Sequence, residues 1–197
     1  MSGWQVQRRF GNRIESENRI ESRSSEGRKP SLVEPGCMSP FPEAGTLRVV
    51  ADYQFGTGAG EALFPPGEDL EVVRSSSDRI RQVRAETGHV VSFTTHGRFT
   101  LGIEGGRRLV GALDAPRMRV VVGDDSEPFV RDGRNAFSKF VREVDPEVRP
   151  GDEVAVVHHE GHLLGVGRAE LPARAMADFD TGMAVKMREG AGDRADE

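Results

Sequence analysis

The 197-residue chain carries 27 Lys and Arg against 32 Asp and Glu, a formal net charge of −5, with 36% hydrophobic and 30% charged residues. That length suits one full-size domain or two small ones, and the acidic balance excludes a simple cationic coat for nucleic acid while leaving room for a local basic patch. The single Cys37 excludes an intrachain disulfide and a cage of paired cysteines for zinc, which fits a reducing cytoplasm, and no run approaches the ~18 apolar residues of a membrane span.

Residues 1–46 differ from the rest. The imperfect repeat Arg13-Ile14-Glu15-Ser16 and Arg19-Ile20-Glu21-Ser22 leads into a stretch rich in Ser, Glu, Arg and Pro. Such a segment buries too little apolar area to offset chain entropy, so an unstructured extension is expected, with Met38 as a second possible start. Seven basic and six acidic residues leave this tail no charge bias toward RNA. Arg8, Arg9 and Arg13 have no apolar core behind them, which argues against a secretory signal.

From Leu47 the pattern tightens. Leu47 to Phe55 has the apolar spacing of a short helix ended by Gly56. Gly56-Thr57-Gly58-Ala59-Gly60 reads as a plain loop, followed by Ala62-Leu63-Phe64 and the breaker Pro65-Pro66. Leu70–Arg74, Ile80–Arg84 and His89–Thr95 are strand-like, with turns at Ser75-Ser76-Ser77-Asp78 and Thr87-Gly88. Phe99–Ile103 alternates as a fourth strand, and Gly105-Gly106 opens a segment ending at Leu113. Residues 47–116 are therefore expected to form a small α+β unit with an antiparallel sheet.

A second unit, 117–190, begins with Arg119-Val120-Val121-Val122. Asp124, Asp125 and Glu127 sit where a short helix could start, close to the positive end of its dipole. Ala136–Val141 reads as a strand with Phe137 and Lys139 on one face and Phe140 on the other. Arg149-Pro150-Gly151-Asp152 is a turn, Glu153–Val157 a strand, and Glu160-Gly161 a hairpin turn into Leu163–Arg168. Pro172 opens a helix through Phe179, Gly182 breaks it, and Met183–Arg188 is a last strand before the tail at 191–197. Five strands and two short helices in so short a span predict a closed or nearly closed β-barrel.

Four phrases of this unit occur in a familiar order: Gly133-Arg134-Asn135-Ala136-Phe137-Ser138-Lys139-Phe140-Val141, Arg149-Pro150-Gly151-Asp152-Glu153-Val154, Leu164-Gly165-Val166-Gly167-Arg168-Ala169, and Gly182-Met183-Ala184-Val185-Lys186. Together they resemble the PUA domain, a compact β-rich module of RNA-modifying enzymes and free-standing RNA binders. The preceding unit is similar to the domain before the PUA module in archaeosine tRNA-guanine transglycosylases, through Ala51-Asp52-Tyr53-Gln54-Phe55-Gly56, Ala62-Leu63-Phe64 and Arg79-Ile80-Arg81-Gln82-Val83. The resemblance covers about Leu47 to Gly190. It implies an archaeal, cytoplasmic RNA binder with an α+β fold, a small α+β unit followed by a PUA-like β-barrel with two short helices. That enzyme family also needs a barrel of ~250 residues with a catalytic carboxylate and a Cys/His zinc site. A chain of 197 residues with one Cys has room for the RNA-docking end only.

The residues suit that partner. Gly133 lets backbone amides approach a phosphate, and Arg134 and Lys139 supply charge beside it. Asn135 can read a base edge or a 2′-hydroxyl, and Phe137 either stacks a base or packs in the core. Phe140 is expected in the core. The resemblance adds Arg131, Arg168 and Lys186 to the RNA-binding set, with Lys186 open between groove and solvated surface. Gly165, Gly167 and Arg168 are read as serving close strand packing first. Arg79, Arg81, Arg84, Arg107 and Arg108 either extend a basic track or line a solvated face.

His158-His159-Glu160-Gly161-His162 lacks the helical i, i+4 histidine pair of a zincin and reads as a surface hairpin. No cofactor, metal or catalytic residue is expected. The expectation is a non-catalytic RNA-binding protein that recognises tRNA and assists modification, with a separate tRNA-modifying enzyme as a further partner. The alternative is a small metal-dependent RNA-modifying enzyme using His158, His159 and His162.

Overall fold

A computed structural model describes residues 43–192. The expected extension, its repeat and Met38 lie outside the described residues up to position 42, as do 193–197 at the other end. Within the described part the first helix, α1 (Ala44–Phe55), starts three residues before the sequence pattern suggests. Ala44, Leu47, Ala51 and Phe55 follow at intervals of three and four and are its buried residues, so one face of α1 meets the core. Part of the segment read as a plain loop is helical: α2 (Ala59–Leu63) follows a turn, and the Gly60 amide donates to Asp52 Oδ1 at 2.8 Å. A Cβ on Gly60 would fall 2.6 Å from the Arg48 carbonyl oxygen, so only glycine lets the two helices meet this closely.

The strands β1 (Glu71–Arg74), β2 (Ile80–Ala85), β3 (Gly88–Phe93) and β4 (Phe99–Leu101) pair in sequence order as an antiparallel meander. Its register aligns Val72, Val83, Val91 and Leu101 across the sheet, the last three fully buried. The fourth strand stops at Leu101 rather than Ile103, because α3 (Ile103–Ala112) begins there. Its buried face includes Gly105 and Gly106. A Cβ on Gly105 would strike the Val90 carbonyl, and one on Gly106 would strike Val166 of the second sheet. Gly105-Gly106 is therefore the seat of a helix wedged between two sheets.

The second sheet comprises β5 (Arg119–Val122), β6 (Ala136–Phe137), β7 (Val141–Val144), β8 (Glu153–His158), β9 (Leu163–Ala169) and β10 (Met183–Gly190), in the order β6-β10-β9-β8-β5-β7. The pair β5–β8 is parallel and the others are antiparallel. Its two edges, β6 and β7, are neighbours in sequence, joined only by a 3-10 turn at Ser138–Phe140. The sheet therefore curls into a nearly closed barrel. Six strands stand where five were expected, because the Ala136–Val141 strand breaks at that turn. Two short helices, α4 (Glu127–Arg131) and α5 (Ala173–Asp178), accompany it. The fold is α+β, and no described helix is long and apolar enough to cross a membrane.

Every residue of β8 is buried, and alternate side chains enter different cores. Val154 and Val156 join Val120, Val122, Leu164 and Met176 inside the barrel. Ala155 and Val157 join Leu47, Phe64, Val91, Leu101 and Leu109 of the first unit. At its start, Glu153 accepts the Leu101 amide at 3.1 Å and the Arg188 guanidinium at 2.5 Å. Burial pushes its carboxyl above the usual carboxylate range, opposed by the Arg188 charge.

The five-residue α4 closes through Gly133. The Gly133 amide donates to the Val130 carbonyl at 2.9 Å and the Arg134 amide to the Phe129 carbonyl at 2.9 Å, the paired bonds of a Schellman end. Gly133 has φ 78°, the left-handed conformation this end requires. These two amides serve the helix end.

Two outcomes follow for stability. Gly133→Ala should lose about 1–2 kcal/mol in denaturant unfolding, since its Cβ would meet only Gly190 N at 3.6 Å and the cost is backbone strain; unchanged stability would contradict the assignment. For Glu153 the folded state holds a proton after the unfolded chain releases its own at about pH 4.3, so the group's stabilising contribution is full below that pH and is lost as pH rises through the folded value. The stability of the wild type relative to Glu153→Gln should therefore fall as pH rises above the ordinary glutamate range, as measured by urea midpoints across a pH series.

Candidate nucleic-acid interface

The end of α4, β6 and the 3-10 turn enclose a cleft of about 530 Å³. Phe129, Phe137, Phe140, Arg134 and Lys139 line it, together with Asp180, Thr181 and Gly182. Phe129 and Phe137 are 47% and 45% exposed, a large apolar area for a wet surface. Arg134 lies over the Phe129 ring at 5.6 Å from its centroid, and Lys139 over Phe140 at 4.6 Å. Each cation is held against a π face, and neither makes an ion pair among the described residues. Beneath the turn, the buried Ser138 hydroxyl has no hydrogen-bond partner among the described residues.

This geometry sorts the expected residues. Arg134, Asn135, Phe137 and Lys139 come together at the cleft. Phe137 points to solvent, and Phe140 is half-buried beneath Lys139 rather than in the core, because the 3-10 turn ends the two-residue alternation at Phe137. Asn135 faces the cleft but spends its Oδ1 on the Met187 amide at 3.0 Å. Gly133 shapes the turn. Arg131 departs from its expected role: its guanidinium bonds Glu127 one helical turn back at 2.9 Å and the Gly192 carbonyl at 3.2 Å. Phe129, 47% exposed at the cleft, is absent from the expected set. Phe129 sits three residues before Asp132-Gly133 in a segment read only as a helix start, and an aromatic in so short a helix was the available signal.

Arg168 and Lys186 lie elsewhere, directly opposite each other on β9 and β10. Gly165 and Gly167 let those strands touch: a Cβ on Gly167 would lie 2.5 Å from the Lys186 carbonyl. Arg168 bonds Glu170 at 2.6 Å, which removes it as an unpaired cation, while Lys186 is exposed and makes no ion pair among the described residues. Arg107 and Arg108, open in the sequence between a basic track and a solvated face, are both paired on α3. Arg108 holds Glu68 at 2.6 Å and Glu104 at 2.9 Å, and Arg107 holds Glu104 at 2.8 Å. Partial burial raises the Glu104 carboxyl, but hydrogen bonds from Arg108, Thr87 and Arg107 outweigh it and hold the group below its ordinary range.

The histidine hairpin is not a simple surface feature. His158, the last residue of β8, is 2% exposed. Its Nε2 lies 3.1 Å from Asp124 Oδ1 and 3.7 Å from Glu127 Oε2. His162 Nε2 lies 3.1 Å from Glu127 Oε1, and the His158 ring stacks on it at 4.4 Å. Two groups have ligand atoms within 4.8 Å of one another, Asp124 with His158 and His159, and Glu127 with His158 and His162. Glu127 is held below the usual carboxylate range by Arg131 first, against some desolvation, with His162 assisting.

Comparison with known proteins agrees with this architecture. Residues 45–116 match the family model for the patch-forming domain C2 of tRNA-guanine transglycosylase, and residues 118–191 match that for the PUA domain. The tRNA-guanine(15) transglycosylase of Thermococcus kodakarensis is 44% identical over 154 residues, covering 76% of this chain and 26% of that protein. That of Pyrococcus furiosus is 43% identical over 145 residues, covering 73% and 24%. The chain thus spans about a quarter of the length of these curated relatives. Among solved structures, a hypothetical protein of Pyrococcus horikoshii superposes with a TM-score of 0.57 at 18% identity, covering 77% of this chain and 92% of its own. A conserved PUA domain protein of Thermoplasma acidophilum gives 0.54 at 21%, covering 75% and 92%. At such identities these two show the fold alone. The chain therefore joins a C2 domain of the tRNA-guanine transglycosylase type to a PUA domain, and resembles that part of the archaeal tRNA-guanine(15) transglycosylases.

Proposed function

We propose that this two-domain region binds tRNA without catalysing a reaction itself, and presents it to a catalytic region or separate enzyme that modifies it. The observation that carries the reading is the cleft, where exposed Phe137 and Phe129 stand beside Arg134 and Lys139, cations without an ion pair among the described residues. Exposed rings suit unstacked bases, because every base offers a π face, and adjacent cations suit the phosphates between them. An intact helix keeps its bases stacked on one another, so a single-stranded end or loop fits best. The match to tRNA-guanine(15) transglycosylases supports tRNA as the RNA and modification as the setting. Lys186 on β10 extends the contact as a phosphate ligand, whereas Arg131 and Arg168 serve the fold.

The double variant Arg134→Ala/Lys139→Ala should bind tRNA more weakly and flatten the slope of log affinity against log salt by about 0.7 per lost single-strand phosphate contact. Phe137→Ala should lose about 1–3 kcal/mol of binding with the salt slope unchanged, because stacking releases no counterions. Filter binding across a salt series reads both. Unchanged affinity and slope in the double variant would remove the cleft as the RNA site.

A further inference from the structure

We propose that Glu127, His158 and His162 bind one zinc-class divalent cation, which clamps the start of α4 to the β8–β9 hairpin. The donors are already gathered. His158 Nε2 to Glu127 Oε2 is 3.7 Å and His162 Nε2 to Glu127 Oε1 is 3.1 Å, and all three donor atoms lie within 4.8 Å of one another. A tetrahedral zinc with bonds of ~2.0–2.2 Å spaces its ligands roughly 3.3–3.6 Å apart, so small side-chain shifts complete the shell. Asp124 Oδ1, 3.1 Å from His158 Nε2, is within reach as a fourth donor.

Burial and charge favour a metal over a merely solvated hairpin. His158 is 2% exposed, so its ring is fixed with Nε2 toward the two carboxylates. Three imidazoles crowd together, with centroids 4.1 and 4.4 Å apart from His158 to His159 and His162. Two imidazole donors select zinc-class ions over magnesium or calcium, which prefer oxygen. An outer layer is present as well. Arg131 holds Glu127 Oε1 at 2.9 Å, and the Glu160 carboxylate stands 3.5 Å from His158 Nδ1, the position that orients a metal-bound histidine. The Glu160 amide also reaches Nδ1, at 3.3 Å, and Nε2 then carries the proton. Zinc binding shifts the ring to the other tautomer, with Nδ1–H on the Glu160 carboxylate.

The test uses the full chain, stripped with chelator and titrated with zinc chloride by calorimetry and thermal unfolding. One zinc per chain is expected, with a rise in melting temperature on the order of 5–10 °C at about a hundredfold excess over Kd. Magnesium chloride should give no shift. His158→Ala can fail to fold, so the deciding variants are His162→Ala and Glu127→Gln, each expected to weaken zinc affinity at least tenfold. Cys37→Ser and His96→Ala should leave it unchanged. Absence of stoichiometric zinc at micromolar concentration, or wild-type affinity in either deciding variant, overturns the site.

Discussion

The structure depends on one strand that faces two ways. Because β8 is buried along its whole length, its two-residue period sends Val154 and Val156 into the barrel and Ala155 and Val157 into the core of the first unit. Neighbouring strands repeat the division. Leu164 of β9 packs inside the barrel and Val166 outside, and Val121 of β5 turns outward between Val120 and Val122. The first unit is thus the cover for the outer face of the barrel sheet, and neither could lose the other without exposing a continuous apolar surface. A one-residue slip of β8 would exchange the contents of both cores, which pins its register strongly.

The ends of β8 carry the polar consequences. Its first residue, Glu153, sits where the two units meet and answers both Leu101 and Arg188. Its last, His158, emerges beneath the start of α4 and meets Asp124 and Glu127. From there α4 runs five residues to Gly133, whose left-handed backbone aims the chain at β6 and the cleft. A buried strand thereby sets the position of an exposed site, through a short helix held at one end by charge and at the other by a glycine.

Net charge proved a poor guide to local charge. Arg108, Arg131, Arg168 and Arg188 are each bound to carboxylates, so they contribute little field beyond their own pairs. Arg134 and Lys139 rest on aromatic rings instead, which leaves their charge available to a ligand. An acidic protein can in this way keep a cationic, aromatic cleft. The same pairing explains why counting arginines along α3 or β9 suggested more basic surface than the fold presents.

Much of the architecture was legible in order and period. The meander, the hairpin at Glu160-Gly161, Pro172 ahead of α5 and the α+β class follow from local turn chemistry and alternation, which need no distant partner. The grouping of Arg134, Asn135, Phe137 and Lys139 was legible too, because six consecutive residues cannot lie far apart. What the amino-acid order left undecided were the choices made by tertiary contact. Phe140 left the core because a 3-10 turn interrupts its strand so that the barrel edges can approach. Arg131 and Arg168 were claimed by Glu127 and Glu170, and His158 was buried and set against acids more than thirty residues away in sequence. The sequence by itself determined most of the elements, their order and the closeness of Arg134, Asn135, Phe137 and Lys139, since these rest on short-range sterics and composition. Tertiary structure alone decided which cations stay unpaired and which histidine faces carboxylates, because charge pairing and burial depend on distances that only the packed chain sets.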